Sequence, residues 1–287
     1  MLMDHIGEFF PDSPIWFRWL GRLAAPLFCY ALAVGFQHTR NRKKYLLRLY
    51  LANVGMVFFN QIMCMLQRKL DYVAYQPKNH NIFTTLFCAG VLICIWENRK
   101  EKKKFFTYIG IYIFWQAMVM GLAILAEAFD YVWRGNALLQ TVLRTNYIFP
   151  LLGGIWDAEG GVFFIVLGVW LYCAVEKKGK LALHYILFCG AYMFMCQGDI
   201  LYRIMSRFSF WGYHKLADVI YFGSSFVGIP LGTSDLSLLT EFYQWMMIGA
   251  LPIMLSCNGK RGKSLKWLFY AAYPLQFLVL YGISYYK

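Results

Sequence analysis

The stretch DHIGEFFPDSPIWFRWLGRLAAPLFCYALAVGFQHTRNRKK, residues 4–44, decides the fold. It begins with an aspartate beside a histidine, passes through a proline-rich turn into an apolar run that carries Arg22, and ends in a block of cations. A charged side chain near the centre of a membrane-spanning helix costs about 2.5–3.5 kcal/mol on insertion scales. The stretch therefore predicts a membrane helix in which Arg22 has a partner or a function.

The composition of the whole chain indicates the same class of protein. Hydrophobic residues make up 60% of the 287 residues and charged residues 15%, against roughly 45–50% and 25% in a soluble domain. A soluble fold of this length could not cover so many large apolar side chains. We therefore predict an all-α fold, a polytopic transmembrane helix bundle that forms one integral membrane domain over residues 1–287.

The positive charge is clustered rather than spread over a face. Most of the lysines and arginines that give the net charge of +13 lie in four blocks beside apolar runs, at residues 40–48, 99–104, 177–180 and 260–266. Such blocks are typical of the cytoplasmic loops of membrane proteins. The pattern predicts a multi-pass protein of a bacterial-type cytoplasmic (inner) membrane, with the lipid bilayer and not nucleic acid as its partner.

Apolar runs between these blocks predict about eight full spans after a partial N-terminal span at residues 1–10. The predicted spans are residues 18–37, 45–66, 81–97, 105–127, 159–175, 182–205, 237–256 and 265–284. With this order, all four cationic blocks fall on one side of the membrane. Two further segments, 128–158 and 206–236, mix charges with Trp, Tyr and Gly, and we interpret them as interfacial or re-entrant elements on the outer side.

The eight cysteines predict neither disulfides nor a metal site. All of them lie within or at the end of apolar runs, and no CxxC pair is present. Small apolar residues in lipid-buried or reduced surroundings account for them.

Asp4, His5 and Arg22 are the strongest candidates for function. A carboxylate beside an imidazole can support general-base catalysis, although adjacent helical residues do not face each other. The alternative is a polar pair near a partly solvated N-terminus. Arg22 offers donors suited to a carboxylate, a phosphate or an oxyanion, or it extends towards the lipid headgroups.

Other polar residues in the predicted spans have more structural interpretations. Asp199 and Arg203 lie four residues apart and form a neutralised pair on one helix face. Asn53 is typical of hydrogen bonding between membrane helices. His80, beside two asparagines that can cap a helix, is a secondary catalytic candidate.

Several stretches together resemble the TraX family of integral membrane proteins. They are MLMDHIG at 1–7, GRLAAPLFCYALAVGF at 21–36 with the following His38-Thr39, KKYLLRL at 43–49, NIFTTLFCAG at 81–90, DAEGGVFFIVLG at 157–168 and NGKRGKSLKWLFYAAYPLQ at 258–276. They run in order along nearly the whole chain. The ordered set is far more specific than any one piece.

The resemblance implies a membrane N- or O-acetyltransferase, similar to larger membrane acyltransferases, with acetyl-CoA as the donor and an amine or hydroxyl acceptor such as a pilin-like peptide or an envelope glycan. It implies that His5 is the base, oriented by Asp4, and that Arg22 stabilises the developing charge. Two basic stretches would bind the coenzyme A phosphates through Lys43, Lys44, Arg48, Lys260, Arg261 and Lys263.

The chain departs from the family pattern at two places. Family members carry more apolar sequence before DHIG, and their closing pattern more often reads Tyr-Pro-Leu-His, where this chain has Gln276. A glutamine cannot act as a base. The alternative function is a non-catalytic membrane protein, either a transporter or a partner for another machine, whose path would be lined by Asp199, Arg203 and Glu127.

Overall fold

A computed structural model of the chain describes residues 1–10, 12–69, 81–132, 145–156, 158–197, 203, 207, 213–230, 233, 236–258 and 266–285. All regular elements in these ranges are helical, which confirms the predicted all-α class. The α-helices are α1 Leu2–Phe9, α2 Trp16–Gly21, α3 Ala24–His38, α4 Arg42–Lys69, α5 Ile82–Glu97, α6 Lys102–Val132, α7 Thr145–Leu151, α8 Gly161–Ala174, α9 Lys178–Gln197, α10 Tyr213–Val227, α11 Ala250–Ser256 and α12 Lys266–Tyr285. A 3-10 helix, Tyr243–Gly249, precedes α11.

Four helical segments among the described residues are long and apolar enough to cross a membrane. They are Trp16–His38, Arg42–Met63, Lys102–Ala126 and Lys178–Gln197, and they match the predicted spans at 18–37, 45–66, 105–127 and 182–205. The predicted spans at 81–97, 159–175 and 265–284 correspond to shorter apolar helices. The chain therefore has the helices of a membrane protein.

Residues 237–256 differ from the single α-helix predicted for them. The segment contains the 3-10 helix Tyr243–Gly249 and then the seven-residue α11. Pro252 has no N–H group to donate to the carbonyl group of Ile248, so a continuous α-helix through this point would lose a hydrogen bond. A 3-10 helix of this length is unusual, since most runs end after three or four residues.

The chain divides into two compact units. The first comprises Met1–Val34 and Trp170–Lys287, and the second comprises Gly35–Val169. The first unit contains α1, α2, most of α3, and α9 to α12. The second contains α4 to α7 and most of α8. The prediction of one integral membrane domain is not decided by this division and stays a prediction.

The second unit contains an irregular segment that follows α7. The helix ends where Gly153 adopts a φ of 67°, and the Gly154 N–H group donates to the Phe149 carbonyl oxygen at 2.6 Å, as in a Schellman motif. Side chains of α4, α5 and α6 donate to carbonyl oxygens at the end of α7 and in the segment that follows it. The bonds are Tyr50 to Leu151 at 2.8 Å, Asn53 to Pro150 at 2.6 Å, Thr85 to Glu159 at 2.9 Å, Trp115 to Leu152 at 2.9 Å and Gln116 to Gly153 at 3.1 Å.

Asn53 joins three elements of this unit. Its side chain is fully buried, and its Oδ1 atom accepts hydrogen bonds from Asn81 Nδ2 and Thr84 Oγ1, each at 2.7 Å. Together with the bond to Pro150, these contacts connect α4, the start of α5 and the end of α7. The prediction that Asn53 hydrogen-bonds between helices is confirmed. Lipid cannot satisfy irregular backbone, so such a segment requires partners from protein.

We predict that Asn53→Leu lowers the melting temperature of the protein in detergent. The substitution removes three buried side-chain hydrogen bonds, those with the Pro150 carbonyl oxygen, Asn81 Nδ2 and Thr84 Oγ1, and each such bond contributes about 0.5–1.5 kcal/mol to stability. The measurement is thermal unfolding followed by intrinsic fluorescence. Asn98→Ala is the matched control, because Asn98 Nδ2 also donates to a backbone carbonyl, that of Cys94 at 2.8 Å, but at the end of α5. Equal shifts in melting temperature for both variants would contradict the role of Asn53 in joining three elements.

Candidate functional site

The site is built on a helical hairpin at the N-terminus of the first unit. Helices α1 and α2 run antiparallel, because residues near the start of α1 contact the end of α2. Two glycines permit the close approach. A methyl group on Gly21 would overlap the Asp4 carboxyl group, and one on Gly7 would lie 2.6 Å from Arg18 Cδ.

The Asp4 carboxylate lies between two guanidinium groups. One oxygen, Oδ2, accepts a hydrogen bond from Arg22 Nη2. The other, Oδ1, lies 2.9 Å from Arg18 Nη1. That second contact is a charge contact without hydrogen-bond geometry, because Arg18 Nη1 donates instead to the backbone oxygen of Asp4 at 2.9 Å.

Glu8 completes a cluster of four charges. Its Oε2 atom lies 3.6 Å from Arg18 Nη1. Two arginines and two carboxylates give the cluster no net formal charge, and the side chains are 12–22% exposed. Mutual neutralisation explains how Arg22 can lie in an apolar helical segment.

The 3-10 helix supplies a second set of contacts to both arginines. Arg18 Nε donates to the Tyr243 hydroxyl oxygen at 3.1 Å, and Arg22 Nη1 donates to Gln244 Oε1 at 3.1 Å. The two guanidinium carbons lie 5.8 and 5.5 Å from the centre of the Tyr243 ring, within reach of cation–π attraction. The orientation of each guanidinium group is therefore fixed from two sides.

His5 lies on another side of α1, against helix α12. His5 is 3% exposed, and its ring centre is 4.3 Å from that of Phe277 and 6.3 Å from that of Tyr273. Phe9 continues the same packing, 4.9 Å from Tyr281. Neighbouring residues on a helix point about 100° apart, so Asp4 faces α2 while His5 faces α12.

The structure brings some of the predicted site residues together. Asp4 and Arg22 form an ion pair, and His5 is the next residue of α1. Lys43, Lys44 and Arg48 lie exposed on the first two turns of α4, in the second unit. His80, Lys260, Arg261, Lys263 and Asp199 lie outside the described residues, as does the side chain of Glu127, while Arg203 is described and exposed. The orientation of His5 by Asp4 stays a prediction.

Gln276 lies on α12, one residue before Phe277. Its Nε2 atom is buried and has no hydrogen-bond partner among the described residues. The position where the family pattern more often has histidine therefore belongs to the helix that packs on His5.

Sequence reasoning missed Arg18, Tyr243 and Gln244. A signal for Arg18 was present, because Asp4 and Glu8 are four residues apart on α1 and Arg18 and Arg22 are four apart across α2 and its cap. An acidic i,i+4 pair and a basic i,i+4 pair, separated by a proline-rich turn, predict a helical hairpin in which the two pairs face each other. No sequence pattern connects Tyr243 and Gln244 to arginines more than 200 positions away.

No group of three or more histidine, cysteine or acidic side chains in the described part of the chain is arranged to hold a metal ion. The chemistry available at the hairpin is that of its arginines, its carboxylates and His5.

We predict that Gly21→Ala destabilises the protein by about 1–3 kcal/mol, the usual cost of overpacking, because the added methyl group displaces the Asp4 carboxylate from Arg22. The check is the midpoint of chemical or thermal unfolding in detergent. Gly190→Ala is the control. A methyl group at Gly190 meets nothing within 4 Å, and alanine in a helix interior is favoured over glycine by about 0.5–1 kcal/mol. A neutral Gly21→Ala would show that the close approach is unnecessary.

Comparison with known proteins identifies the family of the chain. The chain is similar to the probable fimbrial assembly protein FimC, serogroup H1, of Dichelobacter nodosus, at 30% identity over 104 residues, which is 34% of this chain and 43% of that protein. The chain thus matches less than half the length of this curated relative. No solved structure matches the chain. The family model described as TraX protein matches residues 1–193, a region that contains Asp4, His5, Arg18 and Arg22. The resemblance found in the sequence is therefore confirmed, and the chain belongs to the TraX family.

Proposed function

We propose that this protein is an integral membrane acetyltransferase, which moves an acetyl group from cytoplasmic acetyl-CoA to an amine or hydroxyl acceptor at the membrane. The observation that carries the proposal is the juxtaposition at α1. The buried His5 and the Asp4 that holds two arginines are consecutive residues of this helix. A base and fixed cationic donors are the groups that acyl transfer requires.

The proposed reaction has two steps. His5 takes the proton from the acceptor amine or hydroxyl as the acceptor attacks the thioester carbonyl carbon of acetyl-CoA. The carbonyl oxygen becomes an oxyanion, which Arg22 stabilises by a hydrogen bond from a charged donor. The tetrahedral intermediate then releases the coenzyme A thiolate, which takes up the proton held by His5 and so regenerates the base, and the acetylated acceptor leaves.

The remaining parts of the proposal concern the donor and the membrane. We assign the phosphates of acetyl-CoA to the cations Lys43, Lys44, Arg48, Lys260, Arg261 and Lys263. The exposure of the three on α4 supports this assignment. We further propose about eight spans in a bacterial inner membrane with the basic loops in the cytoplasm, which four long apolar helices and three shorter ones support.

The acceptor is proposed from the curated relative. That relative is named as a probable fimbrial assembly protein, and a fimbrial or pilus subunit carries an amino terminus that an acetyl group can modify. We therefore propose a role in pilus or fimbrial assembly, with a pilin-like peptide as the first acceptor to test and an envelope glycan as the second.

One observation favours the non-catalytic alternative. Each oxygen of Asp4 contacts an arginine, which is also the arrangement that a purely structural charge cluster would have in an apolar environment. A transporter or a partner protein would need the cluster only to hold the hairpin. The two functions differ in whether His5 matters for more than packing.

We expect His5→Gln to lower acetyl transfer by about 10²- to 10⁴-fold, the usual contribution of a general base, and Arg22→Gln to lower it by about 10²- to 10³-fold. Purified wild-type and variant proteins in detergent are supplied with acetyl-CoA and candidate acceptors, and released coenzyme A and acetylated product are measured by mass spectrometry.

His184→Gln is the matched control, because His184 also packs on an aromatic ring of the first unit, that of Trp170 at 5.3 Å. It should retain wild-type turnover. A folded wild-type protein that neither binds nor turns over acetyl-CoA would overturn the acetyltransferase proposal in favour of the non-catalytic function.

A further inference from the structure

One of the three guanidinium nitrogens of Arg22 makes no hydrogen bond to the described residues. Its Nη2 atom donates to Asp4 Oδ2 and its Nη1 atom donates to Gln244 Oε1. The Nε atom is buried and has no hydrogen-bond partner among the described residues. A buried N–H group of a charged side chain without an acceptor is costly, so this donor marks a place where an acceptor atom is expected.

Arg18 shows the contrast within the same cluster. Its Nε atom donates to the Tyr243 hydroxyl oxygen, and its Nη1 atom lies against Asp4 and Glu8. The same 3-10 helix therefore occupies Nε of one arginine and Nη1 of the other. Arg18 binds the protein through the donor that Arg22 leaves open.

The position of Gln244 is itself fixed. Its Nε2 atom lies 3.9 Å from Met247 Sδ, and Met247 is fully buried. The backbone oxygen of Met247 accepts a hydrogen bond from the Tyr185 hydroxyl group of α9 at 2.6 Å. This chain of contacts directs the oxygen of the Gln244 amide, the acceptor of the group, towards Arg22.

We propose that Arg22 binds a single carbonyl-type oxygen through Nε–H, and that Gln244 is the positioning residue that directs this donor by occupying Nη1. The identity of this oxygen rests on the proposed function: it is the carbonyl oxygen of the acetyl thioester, which becomes the oxyanion. Carboxylates and phosphates bind an arginine fork through two nitrogens at once. Nη2 already donates to Asp4 and Nη1 to Gln244, so the Nε–H group fits a single oxygen atom rather than the two oxygens of a fork contact.

The first test observes the donor directly. Protein labelled with ¹⁵N-arginine in detergent gives Nε–H signals by NMR, and the signal missing in Arg22→Lys is assigned to Arg22. We expect acetyl-CoA to shift this signal and coenzyme A, which lacks the acetyl carbonyl group, to leave it in place. If acetyl-CoA shifts other signals but not this one, the assignment of Nε–H is overturned while the proposed function stands. If acetyl-CoA shifts no signal, both are overturned.

The second test separates positioning from folding. Gln244→Met keeps the length of the side chain but removes the acceptor oxygen. We expect kcat for acetyl transfer to fall about 10- to 100-fold. The KM for acetyl-CoA should change less than about threefold, because the coenzyme portion is bound elsewhere. Gln244→Glu keeps an acceptor oxygen and should retain most of kcat. Gln197→Met is the control, since the amide of Gln197 contacts only the Thr233 carbonyl oxygen among its described hydrogen bonds.

Equal losses in Gln244→Met and Gln244→Glu would overturn the positioning role, as would a loss confined to KM. An equal loss in Gln197→Met would show that removing a glutamine hydrogen bond from this unit lowers turnover through folding alone.

Discussion

The sharing of one carboxylate by two guanidinium groups is the constraint on which the N-terminal region depends. Asp4 can hold Arg18 and Arg22 together only if α1 and α2 approach closely, and the absence of side chains at Gly7 and Gly21 permits that approach. The proline-rich turn reverses the chain, so that the two carboxylates of α1 face the two arginines of α2 and its cap. Charge neutrality then allows the whole group to lie in an apolar setting.

The cluster differs from a simple ion-pair network because its two arginines differ in which guanidinium nitrogens have a hydrogen-bond partner. Arg18 is bonded through Nε to Tyr243 and through Nη1 to the backbone of Asp4. Arg22 is oriented just as firmly but retains a donor. A rigid arginine with an open donor is pre-organised, so that no reorganisation is required when charge develops on a bound oxygen. His5 packs among the aromatic rings of α12.

Much of the fold follows from hydropathy, because a span must be long and apolar whatever its partners are. The helices at Trp16–His38 and Lys102–Ala126 were predictable for that reason, as were Asp4 and Arg22 as residues that needed partners. Tyr243 and Gln244 were not predictable, since their contacts join positions far apart in sequence and polar residues at a helix start have many ordinary explanations. The 3-10 helix Tyr243–Gly249, which precedes Pro252, was hidden by the apolar character of the surrounding residues.

The irregular segment after α7 has a consequence for how this protein can change during evolution. Its five anchoring bonds from Tyr50, Asn53, Thr85, Trp115 and Gln116 all end on main-chain oxygens. Main-chain oxygens are the same whatever the side chain, so the identity of most residues in the segment is not constrained by its anchors. Sequence drift in the segment is therefore compatible with a constant path except at the glycines that adopt a positive φ, such as Gly153, whereas drift at the five anchoring positions is not.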